Sequence, residues 1–291
     1  MKTFFNLTKF GIVIFVVLSA IAGYVAAFQI ENHFEIQHFF KMIISVYFLS
    51  SGSLALNQVQ EYKLDRLMKR TEKRPIASGK LQPLAGLILA VMFILAGVVG
   101  LNQLAPLAAS LGILTIFLYN GVYTYYWKPK WAFAAVPGAI PGALPITIGY
   151  AVNSQDIFAV DSVYLFLILF LWQMPHFWCL AIRFKDDYAD GSVPTLPVKL
   201  GMKRTLYHTG LYTFLYAFMA LASPWFVSAS WFYLLLVVPV TVYMLLQFYR
   251  FYRSEGQENW FKFFMATNVS VLIYMFVPVI DKWNFVFMNR V

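Results

Sequence analysis

Apolar runs about 20 residues long, divided by polar clusters, recur from one end of this chain to the other, and that is the length an α-helix needs to cross the hydrocarbon of a bilayer. Inside lipid the backbone must satisfy its own hydrogen bonds, which leaves only helices or a closed barrel, and runs this long read as helices. The windows are residues 10–28, 38–56, 81–101, 104–123, 131–151, 160–181, 205–223, 229–248 and 261–280. The expected fold is all-α, a polytopic membrane protein of about nine transmembrane helices. Of the 291 residues 60% are hydrophobic and 12% charged, roughly half the charged share of a soluble domain. An ordinary soluble enzyme and a disordered chain are excluded. The single cysteine, Cys179, sits in an apolar run, so neither an internal disulfide nor a cysteine metal cluster can form. No soluble domain or low-complexity segment interrupts the pattern, and residues 1–291 are read as one transmembrane domain.

The first window follows Lys2 and Lys9 and contains Ala20-Ile21-Ala22, which has the look of a signal-peptidase site, but its apolar stretch is longer than a signal core, so it is read as a retained anchor. No Arg- and Ser-rich transit segment precedes it, and a bacterial plasma membrane is expected. A net charge of +9 would suit nucleic acid in a soluble protein. Here the basic residues collect on alternate connections, which is the positive-inside rule at work, and no nucleic-acid partner is expected. All but Lys41, Lys282 and Arg290 of the 22 Lys and Arg fall on one side, which places the N-terminus in the cytoplasm and, with an odd number of spans, the C-terminus outside.

Two long polar connections lie on that cytoplasmic side, after the second and sixth windows. They are separated by four spans and each closes on a Lys-Leu pair near glycine, Gly79-Lys80-Leu81 and Lys199-Leu200-Gly201, the mark of a weak four-helix internal repeat. Each also carries acids. If the second span continues as helix, steps of four bring Asn57, Glu61 and Asp65 onto one face. In the other connection Asp186 and Asp190 are again four apart, with Asp187 between them. Carboxylates do nothing for membrane insertion, so two matching acidic clusters point to a function, namely binding of hard cations. Magnesium suits them, because it is held by one or two carboxylates together with substrate phosphates. Lys63, Lys69, Arg70, Lys73 and Arg74 beside the first cluster, and Arg183 and Lys185 beside the second, suit a phosphate-bearing substrate.

Within the sixth span lies Trp172-Gln173-Met174-Pro175-His176-Phe177-Trp178. On one unbroken helix His176, Arg183, Asp187 and Asp190 would share a face, with His176 about 16 Å deeper than Asp187, a depth suited to the body of an amphiphile. Equally, a histidine beside a proline can serve the carbonyl that proline frees. Tyr119, Tyr123, Tyr125, Tyr126 and Trp127 could face a carbocation with their π systems, although most aromatics in such a chain face lipid or form the interfacial belt.

These stretches resemble the UbiA superfamily of intramembrane prenyltransferases, and within it the branch that farnesylates heme. Asn57-Gln58 with Glu61, Asp65, Met68, Arg70-Thr71 and Arg74-Pro75 resembles the first aspartate-rich motif and its continuation. Tyr125-Tyr126-Trp127-Lys128, Gly138, Gly142-Ala143, Pro145 and Gly149-Tyr150 resemble the central segment. The Trp172 to Trp178 stretch, Lys185-Asp186-Asp187-Tyr188, Gly191, Pro194 and Leu196-Pro197-Val198 resemble the sixth-helix and second acidic motifs, and the likeness runs over about residues 50–205. It implies a helical bundle round a central cavity. It also implies transfer of farnesyl from farnesyl diphosphate to the 2-vinyl group of heme B, with capture of water, giving heme O and diphosphate. Asn57, Glu61 and Asp65 would then hold one magnesium ion and Asp186, Asp187 and Asp190 another, with Asp65, Asp187 and Arg70 at the centre of the chemistry. Arg70 and Arg74 would take the diphosphate, with Lys63, Arg183 and Lys185 at hand. His176, flanked by Trp172, would contact heme and serve as an axial ligand of its iron. The sequence departs from the wider superfamily at Glu61, where Asp is usual, and at Asp190, where the pattern is variable.

The acidic clusters alone leave other acceptors open, an aromatic acid or quinone precursor among them. A cation-coupled transporter would also carry intramembrane acids, but near the midplane and on interrupted helices. A non-catalytic heme-binding assembly factor would have no use for two carboxylate walls. Expected partners are the two substrates, the bilayer, and downstream heme-modifying or oxidase-assembly proteins.

Overall fold

The computed structural model describes residues 2–29, 34–226 and 231–288. Arg290 and the first two residues of the eighth window, 229 and 230, lie outside these. Every regular element described is helical. In chain order they are α1 (Lys2–Thr8), α2 (Phe10–Ala27), α3 (Ile36–Asp65) and α4 (Pro83–Asn102). Next come α5 (Pro106–Lys130), α6 (Ala135–Ala151), α7 (Val160–Arg183), α8 (Lys185–Asp190) and α9 (Leu196–Lys199). Last come α10 (Gly201–Leu221), a single 3-10 turn (Ser223–Trp225), α11 (Trp231–Arg253) and α12 (Trp260–Met288).

Each of the nine apolar windows overlaps one of these helices, but among the described residues 7 helices are both long and apolar enough to cross a bilayer. The two that fall short do so for physical reasons. Helix α6 has 17 residues and two internal prolines, Pro141 and Pro145, and it is buried almost throughout its second half, where neighbouring helices rather than lipid shield it. Helix α10 begins Gly-Met-Lys-Arg and carries Thr205, Thr209 and Thr213, each of which donates to the carbonyl four residues back (2.7, 2.8 and 2.7 Å) and so hides its polar end against its own helix.

The chain places its helix boundaries by rule. Proline opens α4 and α5, where a missing N–H costs nothing. The connections after α3 and after α9 turn at Gly79 and Gly201, both at φ 77°, a backbone conformation that side chains other than glycine resist. In α7, Pro175 leaves the helix continuous to Arg183, which membrane helices tolerate because neighbours satisfy the freed groups. Helices α2 and α6 cross in direct backbone contact: a Cβ on Gly23 would stand 1.9 Å from the Ile146 carbonyl oxygen, and one on Gly149 would stand 1.9 Å from that of Ala20. Small residues at a crossing let membrane helices gain close packing where no hydrophobic force is available.

At the end of the bundle away from the long connections, Lys282 donates to Asp161 (2.8 Å) and to the Ala26 carbonyl (2.7 Å), while the Tyr150 hydroxyl donates to the other Asp161 oxygen (2.8 Å). That cluster ties α2, α6, α7 and α12 together. Gly149→Ala is expected to force α2 and α6 apart at a cost of about 1–3 kcal/mol, seen as a lowered midpoint of thermal unfolding in detergent; Gly11→Ala, where a Cβ meets nothing within 4 Å, leaves it unchanged.

Candidate active site

Helix α3 does run on to Asp65, and its last turns carry Asn57, Glu61 and Asp65 on one buried face, at 2%, 7% and 1% exposure. Polar and charged groups so deep need partners, and three separate pieces of chain supply one each. The N-terminal piece is α1, which the Gln58 amide holds against α3 by donating to the carbonyls of Asn6 and Leu7, both at 2.8 Å. Between α1 and α2 Lys9 adopts a left-handed conformation (φ 50°, ψ 54°), and its amine donates to Asn57 Oδ1 at 3.0 Å. Burial, and then the nearby Arg74 guanidinium, push this amine down to about 7 against the pull of Glu61.

The second piece is α5, which is wound as π-helix from Phe117 to Trp127. The wider turn presents Asn120 and Thr124 to α3. Asn120 accepts from Ser53 (2.7 Å) and donates to Gln60 Oε1 (3.1 Å), and Asn57 Nδ2 donates to Thr124 Oγ1 (3.4 Å). One turn further on, Lys128 forms an ion pair with Glu61. Such π segments concentrate at functional sites because they re-aim side chains that a regular helix would point elsewhere.

The third piece is the connection between α3 and α4. Arg74 donates from one nitrogen to both Asp65 oxygens at 2.7 Å, and the Thr71 hydroxyl donates to the Asp65 carbonyl at 3.0 Å. This connection also reaches the second acidic cluster. The Arg70 main-chain N–H donates to Asp187 Oδ2 (3.0 Å), and its guanidinium donates to the Tyr188 hydroxyl (3.3 Å) and lies over the Phe184 and Tyr188 rings. Met68 packs with Ala181, Tyr188 and Val193 underneath.

The second wall differs from the single helix expected. The chain breaks at Phe184 (φ −111°, ψ 33°) between α7 and α8, so the shared face drawn from His176 to Asp190 does not exist. Asp187 is turned inward and half-buried, whereas Asp186, Asp190, Lys185 and Arg183 are exposed, as are Lys63, Lys69 and Lys73. Among the described residues no three acids or histidines converge as a ready metal cluster. The oxygen donors of Asn57, Glu61, Asp65 and Asp187 nevertheless fit a hard cation. Each is now held by a basic or N–H group that a metal would displace.

Around these walls are two spaces. An open cleft of about 600 Å³ between α1 and the α3–α4 connection is lined by Lys9, Arg70, Lys73 and Arg74 and suits an anion. Within the bundle, a cavity of about 230 Å³ lined by Val16, Leu49, Ser53, Tyr119, Gly142 and Gln173, among others, suits an apolar chain. Tyr119, in its lining, stacks with Tyr123 at 5.7 Å between ring centroids, while Tyr125 and Tyr126 are exposed. His176 lies on another side of α7, between the rings of Trp172 (4.5 Å) and Phe264 (4.9 Å), and Phe15 packs at a tilt against Trp172. His176 Nδ1 and Trp172 Nε1 are buried without a hydrogen-bond partner.

Sequence reasoning missed Lys9 and Lys128 as site residues. Lys9 was counted only as a topology signal and Lys128 also as part of the central-segment motif, neither with a role, and a lysine at a membrane-helix end gives no local sign that it turns inward.

A model of the UbiA prenyltransferase family matches residues 16–270. A protoheme IX farnesyltransferase of Bdellovibrio bacteriovorus is 57% identical over 290 residues, covering 100% of this chain and 99% of the relative. One from Shouchella clausii is 32% identical over 233 residues, 80% of this chain and 74% of that one. Among solved structures, a digeranylgeranylglyceryl phosphate synthase superposes at TM-score 0.75 with 17% identity, over 97% of this chain and 98% of its own. A UbiA homologue from Archaeoglobus fulgidus bound to GPP and Mg2+ gives 0.69 with 14% identity, over 95% and 99%. At these identities the two structures speak for the fold alone.

Arg74→Ala leaves the 1% exposed Asp65 without its cation and is expected to cost about 3 kcal/mol of stability. The paired change Asp65→Asn with Arg74→Gln recovers most of that loss, and Lys63→Ala, at an exposed position, has no effect. Denaturant titration of the purified protein checks all three.

Proposed function

The chain belongs to the UbiA prenyltransferase family, and we propose that it transfers a farnesyl group from farnesyl diphosphate to the 2-vinyl group of heme B, adding water, to give heme O and diphosphate. What carries this reading is the likeness to the Bdellovibrio farnesyltransferase along the whole chain. The site agrees with it in kind, with a cationic cleft beside buried oxygen donors, and below them an apolar cavity lined by Tyr119.

In this reading Arg70, Arg74, Lys9 and Lys128 bind the diphosphate, with Lys63, Arg183 and Lys185 at the rim. Their charge meets negative charge as it grows on the leaving oxygen, which favours ionisation more than it favours binding. Asn57, Glu61 and Asp65 on one wall, and Asp187 with the exposed Asp186 and Asp190 on the other, are the groups that would hold magnesium. The bound metal supplies further neutralisation of the leaving group. The apolar lining of the cavity shields the allylic end from bulk solvent, and the stacked Tyr119 and Tyr123 rings offer π faces to positive charge there. His176 is the proposed contact with heme, because its unpartnered Nδ1 sits beside the unpartnered Trp172 Nε1 between aromatic rings of a size to cover a porphyrin edge.

The protein is an integral membrane protein. Its proposed orientation has the N-terminus and the site facing the cytoplasm, supported by the crowding of Lys and Arg at that end.

Purified protein incubated with heme B, farnesyl diphosphate and magnesium is expected to yield a later-eluting heme, heavier by one farnesyl group and one water, in reversed-phase chromatography with mass spectrometry. Unchanged heme B alongside prenylation of an aromatic acid would overturn the acceptor. Chelating the magnesium stops the reaction. Asp65→Asn and Asp187→Asn each lower turnover by roughly a hundredfold or more while the protein still inserts and folds; wild-type turnover in both removes the acidic walls from the mechanism.

A further inference from the structure

Gln173 sits in the middle of the Trp-Gln-Met-Pro-His stretch, yet it takes no part in holding metal or diphosphate. Its amide nitrogen donates to the Ala139 carbonyl at 2.9 Å and to the Leu169 carbonyl at 3.1 Å. Both partners are main-chain oxygens, which only accept, so the amide orientation is settled by chemistry: the NH2 faces the two carbonyls and the oxygen faces away from them. That oxygen points across α6 at Gly142, where a Cβ would stand 2.0 Å from Oε1. Glycine at 142 is what leaves the oxygen room, and both residues line the apolar cavity below the acidic wall.

The hydroxyls around the same cavity are committed elsewhere. Ser50 donates to the Val46 carbonyl (2.7 Å), Ser53 to Asn120 (2.7 Å) and Thr115 to the Leu111 carbonyl (2.8 Å). Tyr119 lines the same cavity. An amide oxygen whose own N–H groups are already committed, beside Gly142 in the lining of an otherwise apolar cavity, is a place for a single water, which needs two or more polar partners to stay there.

We propose that Gln173 is the positioning residue for the water consumed in the reaction, accepting one of its hydrogens while Tyr119 donates to it. The inference rests on the proposed function and deepens it. In that reaction the terminal vinyl carbon bonds to the allylic carbon as the carbon–oxygen bond to diphosphate breaks, and the electron pair leaves with the phosphate. A cation remains on the carbon beside the porphyrin ring. The water lone pair closes on it, and the surplus proton passes to the released diphosphate. As the water oxygen becomes positive its hydrogen bond to the Gln173 carbonyl strengthens, so the contact helps most at the moment of capture. Without a held water the same cation loses a proton from the adjacent carbon and gives an alkene, lighter by one water.

The test is the ratio of hydrated to alkene product made from heme B and farnesyl diphosphate in 18O-labelled water, read by mass spectrometry. Wild type is expected to give the hydrated product carrying the label. Gln173→Leu is expected to shift the ratio toward alkene roughly tenfold, the effect of losing one well-placed acceptor, while its affinity for farnesyl diphosphate by calorimetry stays unchanged. Gln173→Glu, which when protonated donates to a carbonyl and keeps an acceptor, restores the wild-type ratio. Because Gln173 also staples α6 to α7, Gly142→Ala provides a second route: its Cβ would stand 2.0 Å from Oε1 and 3.0 Å from Nε2, so it displaces the oxygen most while leaving the glutamine in place, with the same shift expected. An unchanged ratio in Gln173→Leu or Gly142→Ala overturns the proposal, as does loss of all transfer with diphosphate affinity intact, which would place Gln173 before the capture step. Absence of any farnesylated heme from the wild type would instead refute the underlying reaction.

Discussion

Charge in a low-dielectric interior has to be matched locally, and in this protein that requirement falls on the polar end of α3. Asn57, Glu61 and Asp65 project from one helix face into the bundle, each close to fully buried. Their partners are Lys9, Lys128 and Arg74. For the two ion pairs, Lys128–Glu61 and Arg74–Asp65, removing either member costs far more than the pair itself contributes. The three partners therefore dictate much of the surrounding architecture: the left-handed turn between α1 and α2, the π-wound stretch of α5, and the path of the connection back to α4. That connection then docks on Asp187 and Tyr188 through Arg70, which brings the two acidic segments to one mouth.

The same matching gives the site its chemistry. In the proposed reaction the carboxylates held by lysine and arginine would exchange those partners for a metal, and the displaced cations would meet the diphosphate. Immediately below, the bundle turns apolar. Prolines and glycines of α6 leave space between α2, α3, α5 and α7, and that space is the cavity. A polar head above and an apolar chain below is the shape of a prenyl diphosphate. Helix α7 serves two sides at once, with Gln173 toward α6 and the cavity, and His176 toward α12 among aromatic rings. At the opposite end of the bundle the Lys282–Asp161 pair closes α2, α7 and α12 together, so the floor is tied where the mouth is open.

Much of this was legible in the residues themselves. Apolar runs of bilayer length, the alternation of basic connections and the four-residue spacing of Asn57, Glu61 and Asp65 are all local properties, and α3 carries its helix to Asp65 as the spacing asked. Reading failed where it extended a local rule across a break. The segment from His176 to Asp190 looked like one helical face, but Phe184 interrupts it, leaving Asp187 turned in and Asp186 and Asp190 turned out. It failed also for Lys9 and Lys128, because the same lysine serves as an insertion signal and as a buried counter-charge, and only its neighbours in space tell the two apart.

The sequence by itself determined that the chain is a set of membrane helices with acids and bases gathered at one end, since hydrophobic length and helical period are properties of consecutive residues. Only the tertiary structure decided which cation neutralises which acid, which of the second set of aspartates faces inward, and where the Gln173 oxygen points. Those outcomes depend on contacts between residues such as Lys128 and Glu61, or Gln173 and Gly142, that are far apart along the chain and meet only when the helices have packed.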